Sequence, residues 1–207
     1  MITSKREYEY YLEADRIALD RKKKGGVIGT MNHFFFPDYI WLFQKRLRKF
    51  EFLLNTQSTI YSKARCKIAY WRYRRLGVRL GFTIPPNVFG PGLSIAHQGT
   101  IVVNTGARVG ANCRLHVDIN IGTAAGFENK APQIGNNVYI GPGAKIFGAI
   151  QIADNVAIGA NAVVNKTFGE SGVVIGGVPA KVIGTIDTKK ILIIATDVLN
   201  ISGREIR

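Results

Sequence analysis

Two histidines and an aspartate in the middle of the chain have side chains suited to proton transfer. His97 lies in the stretch SIAHQGTIVV, and His116 follows 19 residues later, with Asp118 two residues beyond it. An imidazole titrates near neutral pH and can act as a general base, although a single histidine in an apolar strand is more often structural. In a strand, His116 and Asp118 would point to the same side. All three are therefore candidate catalytic residues, with a plain surface position as the alternative for His116.

The cysteines do not indicate a disulfide framework or a metal site. Cys66 and Cys113 are the two cysteines, and their spacing matches no zinc motif, so they fit a reducing cytosol. The first residues lack the apolar core of a signal peptide, and no run approaches the ~18 apolar residues of a membrane span. We therefore expect a cytoplasmic protein that needs no metal, and we interpret the third histidine, His33, as structural.

Positive charge is concentrated in one part of the chain. The formal net charge is +14, and residues 45–79 contain eleven lysines and arginines against a single acid, Glu51. Such a patch favours an anionic partner, either a phosphate-bearing substrate or a membrane surface, and the alternative is a solvated helix face. The stretch YIWLFQKRLRKF combines apolar residues with cations and predicts peripheral contact with the inner membrane face. No reader motif supports specific binding of nucleic acid.

The first 80 residues predict a basic helical segment. Ser4 and Glu7 form a capping box that begins a helix running to about residue 20. A second helix is expected after Pro37, and a third that stops at Gly77. The composition then changes, and we divide the chain into a helical segment (1–80), a repeat domain (81–184) and a C-terminal tail (185–207).

Aliphatic residues recur every six positions in the second segment. The inward positions of this pattern are Val103, Val109, Leu115, Ile121, Ile134, Ile140, Ile146, Ile152, Ile158 and Val164. A period of six is neither that of an α-helix nor that of a flat strand, and it predicts a β-helix in which three hexapeptides form one triangular coil. The period slips once, between Ile121 and Ile134, where TAAGFENKAP fits no coil. Loops that interrupt a regular scaffold often carry function.

Residues 81–184 resemble the hexapeptide-repeat acyltransferases. The resemblance rests on IAHQGTIVV, on the repeats of NVYIGPGAKIFGAIQIADNVAIGANAVV and on the closing motif GGVPAKVIG. It is strongest toward the serine acetyltransferase-like branch, which includes O-acetyltransferases of polysaccharide synthesis. It implies a mainly β fold, a left-handed parallel β-helix of hexapeptide repeats with an N-terminal α-helical segment. It also implies a homotrimer that binds acetyl-coenzyme A in the groove between subunits.

The same resemblance assigns roles to individual residues. His97 matches the family's catalytic histidine. The coenzyme A contacts would fall on Gly122, Thr123, Gly141, Pro142, Gly143, Gly159, Ala160 and Lys181. Glycine amides allow close approach of the pantetheine chain, and a lysine suits its phosphates. Without the resemblance, the glycines are explained by coil stacking alone.

Departures from the family pattern concern the acceptor. Ala96 stands where serine acetyltransferases have an aspartate, Thr83-Ile84-Pro85-Pro86 replaces a segment with a carboxylate partner of the base, and Ala131 replaces a second histidine. Since free serine carries two charges that need partners, these changes favour a sugar or polysaccharide hydroxyl as acceptor, with Phe127 stacking on the ring. Serine O-acetylation is the alternative, and a non-catalytic trimeric scaffold is the alternative of another class.

Overall fold

A computed structural model describes residues 1–21, 38–127 and 130–201. Four α-helices lie in this part of the chain: α1 (Lys5–Ala18), α2 (Tyr39–Thr56), α3 (Ile60–Leu80) and α4 (Ala195–Ile201). Ser4 caps α1 in the predicted capping box with Glu7, so that prediction is confirmed. His33 lies outside the described residues.

The sequence predicted that α3 ends at Gly77, and the structure differs. The helix continues to Leu80, and Gly81 caps it with a left-handed φ of 80°. Gly77 instead permits a close helix–coil contact, because a Cβ there would lie 2.9 Å from the carbonyl oxygen of Phe82 and 3.3 Å from the ring of Phe43. The prediction that the helix stops at Gly77 is therefore wrong, and close packing explains this glycine.

Fourteen short strands follow in the described residues. They are β1 (Phe82–Thr83), β2 (Ser94–Ile95), β3 (Ile101–Val103), β4 (Arg108–Val109), β5 (Arg114–Leu115), β6 (Ile119–Gly122), β7 (Gln133–Ile134), β8 (Tyr139–Ile140), β9 (Lys145–Phe147), β10 (Gln151–Ile152), β11 (Ala157–Ile158), β12 (Val163–Val164), β13 (Val173–Gly176) and β14 (Lys181–Thr185).

Strands three apart in the chain, such as β3, β6, β9 and β12, lie in the same sheet. This arrangement makes a triangular β-helix. The first sheet holds β1, β3, β6, β9 and β12, the second holds β4, β7 and β10, and the third holds β2, β5, β8, β11 and β13. Pairing is parallel throughout, except that β14 folds back antiparallel on β13 and closes the third sheet. This architecture confirms the period-six prediction.

The core of the β-helix is the predicted aliphatic series. The inward residues from Val103 to Val164 are all buried, with Leu115, Ile121, Ile140 and Ile146 fully inaccessible. Each coil covers the apolar edge of the next, so burial is shared along a continuous stack. Asparagines at one corner add a polar ladder, in which Asn112 donates to Asn137 at 2.8 Å and Asn137 donates to Asn155 at 2.9 Å.

The N-terminal helices seal the first coil with a buried ion network. Arg48 is fully inaccessible and donates to Asp15 at 2.8 Å and to Glu51 at 3.0 Å. It also donates to the backbone carbonyls of Phe89 and Gly90 at 2.9 and 2.7 Å. Burial disfavours the charged guanidinium, but the two carboxylates more than offset this and raise the pKa of Arg48 above its ordinary value. The arginine therefore stays charged where helix and coil meet.

The residues after β14 return to the N-terminal helix. In α4, Ala195 and Leu199 pack against Ala14 and Ala18 of α1. Thr196 accepts a hydrogen bond from Asn112 at 2.8 Å, which ties this helix to the asparagine ladder. The described part of the segment after residue 184 is thus packed against both the helices and the coils.

The helices within residues 1–21, 38–127 and 130–201 include none that is long and apolar enough to cross a bilayer. Phe43 and Leu47, two apolar residues of YIWLFQKRLRKF, are buried in the core, whereas Tyr39 is 50% exposed. The membrane contact that we predicted for this stretch therefore cannot involve Phe43 and Leu47, which pack inside the protein.

We expect Arg48→Met to lower the free energy of unfolding by about 3–5 kcal/mol, because Asp15 and Glu51 would remain buried without their cation. Urea unfolding followed by circular dichroism measures this change. Arg74→Met, at an exposed site of α3, is the matched control and should stay within about 0.5 kcal/mol of the unmodified protein. Equal stability of the two variants would contradict a structural role for the network.

Candidate active site

The two candidate histidines lie at one corner of the β-helix, where the third sheet turns into the first. Register pairs Ile95, Leu115, Ile140 and Ile158 in successive coils. The next position in each coil therefore forms a column of Ala96, His116, Gly141 and Gly159. His97 comes one residue later, so the two histidines belong to neighbouring columns on adjacent coils.

The imidazole rings of His97 and His116 face each other across this corner. Their centroids are 6.2 Å apart with an interplanar angle of 56°. His97 is exposed, whereas His116 is half-buried and its Nε2 atom is buried without a hydrogen-bond partner. The corner thus combines one accessible base with one partly desolvated ring whose nitrogen remains available.

The surroundings keep His116 neutral. Burial, together with the positive Arg114 and with His97, lowers the pKa of His116 below its ordinary value. A neutral imidazole can accept a proton or a hydrogen bond, so the environment favours a role in positioning or proton transfer over a role as a fixed cation.

Asp118 does not lie on the same side of a strand as His116, which corrects our prediction. The strand β5 ends at Leu115, and Asp118 sits in a turn with a φ of 58°. Strand alternation does not apply in this turn, and the carboxylate instead accepts a hydrogen bond from Lys145 Nζ at 2.9 Å. Asp118 therefore forms an exposed ion pair with the next coil.

Two further side chains at this corner were missed by the sequence analysis. The ring of Tyr139 lies 5.1 Å from that of His116, and Arg114 donates to the hydroxyl of Ser94 at 3.2 Å. Both residues occupy the outward position directly before an inward aliphatic, Ile140 and Leu115. The six-residue period could have identified both residues, because the position directly before each inward residue points outward, and Arg114 and Tyr139 occupy this position in neighbouring coils.

Most of the residues that resemble coenzyme A contacts share this corner. Gly141, Pro142 and Gly143 follow β8, and Gly159 and Ala160 follow β11, so all five lie on the coils beyond His116. A Cβ on Gly141 would lie 2.8 Å from the carbonyl oxygen of Ile158, so this glycine is also required for stacking. Gly141 and Gly143 are buried against the next coil, whereas Pro142 and Ala160 are exposed and accessible to a ligand chain.

The remaining three residues of that set lie elsewhere on one subunit. Gly122 ends β6 and Thr123 follows it, at the corner between the first and second sheets. Lys181 begins β14 and is exposed at the edge of the third sheet, paired with Gly176. On a single chain, a ligand would have to span two corners to contact all of these residues. This separation is compatible with a groove between copies of the chain.

The interrupting loop carries an exposed aromatic residue. Phe127 is 51% exposed, and Lys130 Nζ lies 3.9 Å from the centre of its ring. Ala131, at the end of the loop, is buried. A cation already covers one face of Phe127, so a stacking ligand would have to use the other face or displace the lysine.

One cavity lies away from the histidine corner. A cavity of about 600 Å³ lies over the second sheet and is lined by residues that include Tyr11, Glu51, Arg108 and Gln133. It contains neither histidine and no cluster suited to acyl transfer. The histidine corner is the better candidate for the active site, because it places two imidazole rings 6.2 Å apart.

Within residues 1–21, 38–127 and 130–201, no group of three or more His, Cys, Asp or Glu side chains is placed to bind a metal ion.

Replacing Arg114 by Gln should raise the pKa of His116 toward its ordinary value, because a nearby positive charge that disfavours protonation is removed. Histidine resonances followed by NMR through a pH titration measure the shift. Arg108→Gln, on the second sheet, removes the same charge away from the histidine corner and should leave His116 unchanged. A His116 that titrates at or above its ordinary value in the unmodified protein would contradict this environment.

Several known proteins are similar to this chain. Residues 131–166 match the family model "Bacterial transferase hexapeptide (six repeats)". A serine acetyltransferase of Mycobacterium tuberculosis is 35% identical over 133 residues, with 57% of each chain covered. One from Synechococcus elongatus is 32% identical over 145 residues, covering 69% of this chain and 52% of the relative. The chain spans about half the length of these curated relatives.

A solved structure extends the likeness to the fold. The serine acetyltransferase of Brucella abortus strain S19, in complex with coenzyme A, superposes with a TM-score of 0.68 at 28% identity, covering 88% of this chain and 70% of that one. The predicted fold class, a left-handed parallel β-helix with an N-terminal helical segment, is confirmed. The chain contains hexapeptide repeats and is similar to serine acetyltransferases in both sequence and fold.

Proposed function

We propose that the protein is an acetyl-coenzyme A-dependent O-acetyltransferase. The observation that carries the proposal is the histidine corner, where His97 and His116 stand beside the glycine column of Gly141 and Gly159. The names of the relatives support acetyl transfer, and the Brucella structure with coenzyme A supports this co-substrate. The chain covers only part of its relatives, so the activity of the whole protein is inferred.

His97 is the proposed general base. It accepts the proton of the acceptor hydroxyl as that oxygen attacks the thioester carbonyl carbon. The bond from carbon to sulfur then breaks, and the proton passes from the imidazolium to the departing thiolate. Backbone amides on the groove wall would stabilise the negative carbonyl oxygen. No metal is required for this chemistry.

His116 is the proposed positioning partner of His97. Its lowered pKa keeps it neutral, and its unpartnered Nε2 faces a partly desolvated space. A neutral ring beside the base can bind the acceptor hydroxyl without competing for the transferred proton. Asp118 contributes less directly, through its ion pair with Lys145.

A homotrimer with sites between subunits fits the open groove. His97 is exposed on the single chain, and a base that works on a thioester needs protection from bulk water. A second copy would cover this corner and could bring Gly122 and Thr123 of one chain toward the histidines of another. The resemblance to the family supports the same assembly.

L-serine and a sugar hydroxyl are the two candidate acceptors. The relatives favour L-serine, which the sequence analysis gave as the alternative. Both curated relatives are named serine acetyltransferase, which supports L-serine. Arg114, beside His116, is a cation with which a carboxylate could pair. Ala96 and Ala131 still lack the groups that a charged amino acid requires, and this supports a sugar hydroxyl as the second candidate.

Peripheral membrane contact is proposed through α3. Tyr61, Ile68, Trp71 and Val78 are 58–73% exposed and lie on one face of this helix. Arginines flank the face, including Arg75, which lies 5.2 Å from the ring of Trp71. An apolar stripe with cations on its border matches an anionic bilayer, whereas two copies meeting through it would repel each other.

His97→Ala should lower kcat by roughly 10²–10⁴, the usual contribution of a positioned base, while the Kd of coenzyme A stays near that of the unmodified protein. Thioester consumption and equilibrium binding measure the two quantities separately. Turnover of the variant near the original value would exclude His97 as the base. If the unmodified protein consumes no thioester with any hydroxyl acceptor, that result would favour a non-catalytic scaffold.

If L-serine is the acceptor, it should be acetylated with kcat/KM of roughly 10⁴ M⁻¹s⁻¹ or more, and Arg114→Gln should raise its KM. If a sugar is the acceptor, serine should be turned over poorly and the substitution should leave the sugar kinetics nearly unchanged. Competition between L-serine and a panel of sugars in one assay measures the preference directly.

The unmodified protein should float with anionic phosphatidylserine vesicles and not with neutral phosphatidylcholine vesicles. Trp71→Ser together with Ile68→Ser should abolish flotation, because the apolar contact is lost. Ile201→Ser, at another exposed apolar site, is the control and should float normally. Absence of binding to both vesicle types would contradict a membrane role for α3.

A further inference from the structure

A second cavity, of about 400 Å³, lies among the helices and apart from the histidine corner. It is lined by side chains of α1, α2 and α3: Tyr8, Leu42, Lys45, Arg46, Lys49, Leu53, Arg65, Ile68, Ala69 and Arg72. Half of these residues are lysine or arginine, and none of the described lining residues is acidic. The catalytic proposal uses no residue of this cavity.

Four of the cations that line the cavity, Arg46, Lys49, Arg65 and Arg72, form no ion pair with a carboxylate within residues 1–21, 38–127 and 130–201. Arg46 lies near Arg72 and Arg79, and burial together with these two charges lowers its pKa. Burial and the nearby Arg65 lower the pKa of Lys49 in the same way. Like charges collected in a partly buried space repel each other, and an anion between them would relieve that repulsion.

Arg46 also has an unused donor. Its Nη1 donates to the backbone carbonyl of Arg72 at 3.0 Å, which fixes the guanidinium between α2 and α3. Its Nε is buried without a hydrogen-bond partner. A buried donor is usually satisfied, so a vacant one on a charged group that lines a cavity points to an acceptor that completes the site.

The residues that line this cavity indicate the class of ligand that it could bind. Arginine binds phosphate oxygens through paired donors, and several cations around one space suit an anion with more than one negative charge. Leu42, Leu53 and Ile68 form an apolar wall, which suits a ligand whose phosphates are joined to an uncharged part. A space of this size is larger than a single inorganic ion requires.

We propose that the cavity between α1, α2 and α3 is a binding site for a diphosphate-type anion, with Arg46 and Arg72 as its principal donors. The ligand is either a free phosphorylated molecule or the headgroup of a lipid. The site is separate from the thioester groove, so it does not depend on the acetyltransferase proposal. It shares Ile68 with the apolar stripe of α3 but differs from that stripe in its donors, Arg46 and Arg72, which would recognise a particular anion and not a membrane surface.

The test is isothermal titration calorimetry of the full chain with inorganic pyrophosphate. Arg72→Gln removes a lining cation but keeps the backbone carbonyl that binds Arg46, and it should weaken pyrophosphate binding by at least about tenfold. Arg46→Gln should do the same. Arg74→Gln removes one charge from the same helix outside the cavity and should change the Kd by less than about twofold.

Two further measurements separate the alternatives. Lys181→Gln should leave pyrophosphate binding unchanged, which distinguishes the cavity from the proposed coenzyme A site. Vesicles of phosphatidylcholine with phosphatidic acid identify a lipid source if they bind more tightly than pyrophosphate and lose that binding in Arg72→Gln. Tighter binding of pyrophosphate than of these vesicles identifies a free phosphorylated ligand.

Equal losses in Arg72→Gln and Arg74→Gln would overturn the proposal, because they would show only general attraction to a basic protein. Lack of saturable binding to both pyrophosphate and the vesicles would overturn it as well. Thermal unfolding of each variant ensures that a folding defect is not counted as a loss of binding. Because Arg72→Gln is exposed at the cavity, it should retain the melting temperature of the unmodified protein even if Arg46→Gln does not.

Discussion

The buried charge of Arg48 is the interaction on which the rest of the structure depends. A β-helix has an open first coil whose carbonyl and amide groups lack partners from a preceding coil. Arg48 donates to the carbonyls of Phe89 and Gly90, and Asp15 accepts from the amides of Gly92 and Leu93 at 2.9 Å. The helices therefore replace a missing coil with side chains, and they pack on the same core that continues through the repeats.

The helices that cover the first coil are connected to the histidine corner through β2. Gln44 of α2 donates to the carbonyl of Leu93 at 2.7 Å, directly before β2, and His97 is the second residue after that strand. Stacking then fixes the next coil, which holds His116, by parallel pairing of Ile95 with Leu115. The helical segment is thus part of the scaffold that positions the base, in addition to carrying the cationic cavity and the exposed stripe of α3.

The glycine columns explain how one scaffold serves both stability and ligand binding. Gly141 is required because a neighbouring carbonyl leaves no room for a Cβ, while Pro142 and Ala160, which follow Gly141 and Gly159, are exposed at this corner. The acceptor side of the groove is less regular. There, the family relatives and Arg114 favour serine, while Ala96 and Ala131 favour an uncharged acceptor, because charge pairing in a groove depends on single side chains and not on the repeat.

The sequence by itself determined the architecture, since a period of six with aliphatic residues inside is compatible with few other folds, and it identified the capping box of α1. The role of Gly77, the turn at Asp118 and the burial of Phe43 were decided only by the tertiary structure. Gly77 and Phe43 make contacts between segments that are remote in the sequence, and β5 ends at Leu115, three residues before Asp118. The Arg48 network joins α1, α2 and the first coil, and the cationic cavity joins α1, α2 and α3. No local pattern encodes which of many arginines is buried, which is exposed and which is left with a vacant donor.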